Sequence, residues 1–132
     1  MAAGASRCNL SFSDSLIRGI LCNVLVCIAV WMSFGAKNIS GKLMASFWPI
    51  MLFVLCGFEH SIADMYFGTA ALLASREYGI TAEGLTWARF FIYCIIPVTL
   101  GNVIGGAGIV GCGYWPTILP AKSPLNRLGV WP

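Results

Sequence analysis

"CGFEHSIAD", residues 56–64, places Glu59, His60 and Asp64 between two apolar stretches, and its reading decides the fold. Ahead of it runs "LMASFWPIMLFVLCGF" (43–58), and after "EHS" comes "IADMYFGTAALLA" (62–74). A membrane crossing takes roughly 20 helical residues at about 1.5 Å of rise each, so the two pieces are too long for one straight helix and too short for two full spans. An ionisable group in the hydrocarbon layer costs on the order of 3 kcal/mol or more. Gly57, beside Glu59 and His60, is where a helix breaks most readily. Non-helical backbone survives at membrane depth only where protein or a wet cavity satisfies its amides, so a break here implies a path or site beside it.

The rest of the chain is consistent with that setting. Of its 132 residues, 58% are hydrophobic and 10% charged, whereas an ordinary soluble domain carries about 25% charged residues. The composition excludes such a domain and leaves room for three or four spans. The net charge of +3 reads as loop charge, with no nucleic-acid partner. "LIRGILCNVLVCIAVWMSF" (16–34) is one crossing interrupted by Arg18, close enough to an end to snorkel, and by Asn23, which is not. "GAKNISGK" (35–42) is a loop, as is "SREYGITAEGLTWAR" (75–89). The charge-free run 90–119 contains Gly101 and Gly105, a GxxxG pair suited to close helix packing. The tail "PAKSPLNRLGVWP" is basic and proline-rich. The expected organisation is a single membrane domain, 1–132, with spans at 16–34, 43–58 plus a half-helix 62–74, and 90–119, followed by a tail 120–132.

Several features point away from other functions. "GAGIVG" (106–111) matches GxGxxG but sits in an uncharged spanning run, without the strand and distal acid of a nucleotide site. The six cysteines contain no CxxC pair and lie mostly in or beside apolar runs, as packing residues rather than metal ligands. Glu59 and His60 lack a nucleophile partner or metal set beyond Ser61, so no catalytic residue, metal or enzyme activity is expected. Positive charge does not orient the chain, because Arg7, Arg18, Arg76 and Arg89 balance Lys37, Lys42, Lys122 and Arg127.

An unperturbed imidazole titrates near neutrality, so His60 can hydrogen-bond an anion or lend it a proton. Glu59 would point about 100° from His60 on a helix and is expected to accept amide hydrogen bonds freed by the break. Asp64 shares a face with His60 only if the helix runs unbroken between them. Asn23 reads equally as glue between helices or as a donor lining a path.

"GILCNVLVCIAVW" (19–31), "GFEHSIADMYF" (57–67) and "IPVTLGNVIGG" (96–106) with "GYW" (113–115), in this order, carry a resemblance. From about Arg7 to Trp115 the chain resembles the C-terminal half, the last three of six spans, of the formate/nitrite transporter family. The resemblance implies an all-α membrane protein of three transmembrane helices with the middle one broken. This would be one inverted-repeat half of an aquaporin-like six-helix transporter fold. It further implies a homopentamer with one pore per protomer, passing formate, nitrite or similar small monovalent anions, with protons as a possible companion and no cofactor.

On the same resemblance, His60 corresponds to the central pore histidine, Asn23 to the pore-lining asparagine, and Val26 and Phe53 to the apolar constrictions. Arg7 stands where the family commonly has a lysine near the pore entrance. Gly57, Glu59, Ser61 and Asp64 form the helix break, with Asp64 where asparagine is frequent. The setting implied is a lipid bilayer, a bacterial inner membrane, with several crossings. The family's first three spans have no counterpart in this sequence. An alternative is therefore a half-subunit that needs a partner to supply them, or a membrane interaction protein without transport of its own.

Overall fold

Ser11 and Asp14 start the first helix: the Ser11 hydroxyl accepts from the Asp14 amide at 3.1 Å, and the Asp14 carboxylate faces the positive helix end. In the computed structural model, which describes residues 6–79 and 84–118, this helix, α1, covers Phe12–Gly35. The expected tail, 120–132, lies outside the described residues. α2 (Ile39–Leu55) opens on Asn38, whose side chain accepts from the Gly41 amide at 2.7 Å. α3 covers Ser61–Tyr78 and ends at Gly79, whose φ of 63° suits glycine.

α4 is the helical run 87–118. It alternates α-helical stretches (Trp87–Arg89, Ile96–Val103, Cys112–Ile118) with wider π-helical ones at Phe90–Ile95 and Ile104–Gly111. No strand occurs among the described residues. Two stretches, Phe12–Gly35 and Trp87–Pro116, are long and apolar enough to cross a membrane, and Ile39–Leu55 is a shorter apolar helix.

The helices depart from the expected spans at their ends. α1 begins at Phe12 rather than Leu16 because the Ser11 cap lies outside the apolar run, and α3 continues past Ala74 to Tyr78. α2 stops at Leu55 rather than Phe58. The Cys56 amide still reaches the Leu52 carbonyl at 2.9 Å, but Gly57 turns to φ 65°, a left-handed conformation that side chains disfavour. Residues 56–60 thus separate α2 from α3.

α1 and α4 pack backbone to backbone. A Cβ on Gly19 would lie 2.8 Å from the Val98 carbonyl, and Gly101 and Gly105 have no room for a side chain against Leu16 and Ile20 of α1. The Ser15 hydroxyl donates to the Tyr93 carbonyl across the same contact at 3.1 Å. At one end Cys8, Ala71, Leu72, Leu85, Phe90, Cys94 and Ile95 form a small core, with the Phe90 ring filling the space above Gly68. α2 buries only Pro49 and turns its apolar side chains outward.

Candidate functional site

The turn between α2 and α3 has to satisfy polar backbone outside any helix, and on both sides of His60 this is done by Asn102. Buried to 7% exposure, it comes from the middle α-helical stretch of α4. Its Nδ2 donates to the Glu59 carbonyl at 3.2 Å and to the Gly19 carbonyl of α1 at 2.9 Å. Its Oδ1 accepts from the Ser61 amide and the Ser61 hydroxyl, each at 3.1 Å. One amide side chain therefore grips the residues on both sides of His60. The Asn102 carbonyl in turn accepts from Asn23 Nδ2 at 2.6 Å, joining Asn23 to the same network.

His60 occupies the N-cap position of α3 in an extended conformation, and its side chain makes no capping bond. Its carbonyl accepts from the Asp64 amide at 2.9 Å. The ring lies beside that of Phe53 in the last turn of α2, centroids 6.2 Å apart. Arg18 is half-buried and directs Nη1 to the Gly57 carbonyl at 3.2 Å, so it braces the turn where snorkelling to an interface was expected. Val26 lies one helical turn beyond Asn23 and lines an apolar groove of about 300 Å³ with Cys27, Val30, Gly106, Val110 and Tyr114. A Cβ on Gly106 would collide with Asn23, so that glycine lets the asparagine approach α4.

Arg7 and the two acids form a separate knot on the other side of the turn. Arg7 is bonded to Asp64 and lies 3.4 Å from Glu59 Oε2, while its guanidinium covers the Phe67 ring at 4.9 Å. Asp64 is fully buried and Glu59 is 5% exposed. The amide bonds expected at the Glu59 carboxylate are not among its contacts. Its Oε2, like Asp64 Oδ2, is buried without a hydrogen-bond donor. Among the described residues no group of His, Cys, Asp or Glu is arranged to hold a metal ion.

The structure thus gathers Asn23, Phe53, Gly57, Glu59, His60, Ser61, Asp64 and Arg7 around one turn, while Gly101 and Gly105 lie on the α1 contact. Sequence reasoning passed over Asn102. The available signal was a lone amide in a run without charges, where a buried polar group must find partners.

The "Formate/nitrite transporter" family model matches residues 1–116. "Probable formate transporter" of Methanothermobacter thermautotrophicus is 42% identical over 119 residues, covering 90% of this chain and 40% of that protein. "Formate channel FocA" of Escherichia coli (strain K12) is 39% identical over 117 residues, covering 80% of this chain and 41% of that one. A solved structure, "Pentameric formate channel with formate bound", superposes with a TM-score of 0.78 at 33% identity, over 88% of this chain and 50% of the other. The chain spans about two fifths of the length of these curated relatives.

Proposed function

The chain belongs to the formate/nitrite transporter family, and on that premise we propose that it forms part of a membrane path for small monovalent anions with His60 at its centre. The carrying observation is the turn that Asn102 holds open around His60. It sets the imidazole at the positive end of α3, beside an apolar ring and outside any regular helix. In this reading α1, the pair α2 and α3, and α4 make three crossings of one membrane domain, the middle crossing broken at residues 56–60.

The chemistry follows from desolvation. A bare anion entering the apolar stretch around Phe53 and Val26 is strongly disfavoured, whereas its neutral acid is not. His60 stabilises the anion by hydrogen bonding, or gives it a proton that lowers the barrier to passage. Formate is the substrate favoured by the names of the relatives. Assembly as a homopentamer in a bacterial inner membrane extends the same reading.

A second reading is favoured by the share of the relatives that the chain spans: the working path needs further polypeptide to complete it. The experiment is reconstitution of the purified chain in liposomes with formate-driven internal pH change as readout, beside a His60→Leu variant. Flux that depends on His60 supports the path reading. Equal flux in the variant removes His60 from the mechanism. Silence from folded protein, with flux restored by co-expressing a protein that resembles the other half of the relatives, supports the second reading.

A further inference from the structure

The knot of Arg7, Glu59 and Asp64 has a charge imbalance that packing does not resolve. A single guanidinium nitrogen, Arg7 Nη1, bonds Asp64 Oδ1 and stands 3.4 Å from Glu59 Oε2, an ion-pair contact without a hydrogen bond. Both acids are more than nine-tenths buried, and each keeps one oxygen, Glu59 Oε2 and Asp64 Oδ2, without a hydrogen-bond donor. The Asp64 carboxyl lies within hydrogen-bonding reach of that of Glu59.

Among the described residues the surroundings offer no second cation. Cys8 lies beside Arg7 ahead of α1, Cys22 faces the pair from α1, and Cys94 faces it from α4. Arg89, at the start of α4, stacks on Tyr93 with its field reaching Cys8. Arg18 is committed to the Gly57 carbonyl, and His60 is the next residue after Glu59. The outer face of the Arg7 guanidinium is covered by Phe67.

Two ionised carboxylates against one guanidinium would leave a net negative charge buried among thiols and aromatic rings, at high cost in a medium of low polarity. Two carboxyl groups in one site relieve this by holding one proton between them. That proton also supplies the donor both stranded oxygens lack. A metal cation is poorly suited to the same place, because the guanidinium already occupies it.

We propose that Glu59 and Asp64 form a carboxyl–carboxylate pair that binds a single proton beside His60, with Arg7 as its counter-ion. The site is then neutral as a whole: one guanidinium, one carboxylate and one carboxylic acid. Its use as a proton store for the neighbouring imidazole rests on the path reading above, whereas the bound proton itself does not.

The test is infrared difference spectroscopy on the purified full chain in liposomes, in H2O and D2O. The expected result is a protonated-carboxyl C=O band at neutral pH that shifts in D2O, shifts again on 13C-aspartate or 13C-glutamate labelling, and disappears as the medium is made alkaline. Asp64→Asn and Glu59→Gln, each leaving one acid opposite Arg7, should both lose the band, with thermal unfolding monitored to establish that they fold. The labelled wild-type spectrum needs no variant and stands if either fails to fold. Absence of the band at neutral pH in the wild type, or its persistence in both variants, overturns the proposal. The band is read without any flux, so its absence and an absence of transport are separate results.

Discussion

Phe53 and His60 stand with ring centroids 6.2 Å apart and tilted by 30°, one in the last turn of α2 and the other capping α3. On the path reading, the apolar ring screens what approaches the imidazole. Phe53→Ala is expected to loosen selection between formate and its one-carbon-longer homologue by on the order of tenfold, the scale of fit around a single methyl group. Competition uptake in liposomes measures this. An unchanged ratio would place Phe53 outside the path.

Removing Asn102 strands several groups together. In Asn102→Ala the Glu59 and Gly19 carbonyls lose a buried donor and Ser61 loses its acceptor. Each unsatisfied buried group costs about 1–3 kcal/mol, so a clear fall in unfolding temperature in detergent is expected. Asn102→Asp keeps the acceptor for Ser61 and loses both donor bonds, and it should be destabilised as well. Two variants with wild-type stability would mean that the turn holds itself.

Glycine substitutions along α4 should split by position. Gly105→Ala drives a methyl into the Ile20 backbone and is expected to cost about 1–3 kcal/mol of overpacking. Gly113→Ala meets nothing within 4 Å and should be neutral or stabilising by up to about 1 kcal/mol. Paired thermal unfolding curves decide the matter, and equal effects would contradict the close α1 contact.

Cys8 is fully buried, and burial is the main influence pushing its thiol up from the ordinary value. Asp64 adds to the rise, and Arg89 opposes it. The reactive thiolate is then scarce at neutral pH and grows as pH rises. In a chain keeping Cys8 as its single cysteine, maleimide in detergent should modify the folded protein on the order of tenfold more slowly than the unfolded one, with the gap narrowing in alkali. Equal rates at neutral pH would show that the end core opens readily.

What was legible in the sequence was local. Gly57 announces the end of α2 because its positive φ is a property of that residue, and the Gly101 and Gly105 spacing shows a face on which a neighbour can come close. The partners around the turn were not legible, since they join residues far apart in the chain: Asn102 to Gly19 and Glu59, Asn23 to Asn102, Arg7 to Asp64. Arg7 read as an entrance charge because the resemblance sets it where the family commonly has a lysine. Only the fold reveals that two buried acids claim it.

The π-helical stretches of α4 bear on how such a chain can change over evolution. The segment Ile96–Val103, which carries Gly101 and Asn102, lies between two wide turns. In an α-helix each residue advances the azimuth by about 100°, and a wide turn accommodates a surplus residue without breaking the rod. One end of α4 must present Phe90 and Cys94 to the end core, while its middle presents Asn102 to the turn. The wide turns act as phase correctors between these duties. Deleting a single residue from 90–95 would therefore close the wide turn to an ordinary one and leave Asn102 on the loop it grips, whereas deleting one from the α-helical residues 96–101 would act as a rotation of about 100° that swings Asn102 off that loop while the helix itself stayed intact.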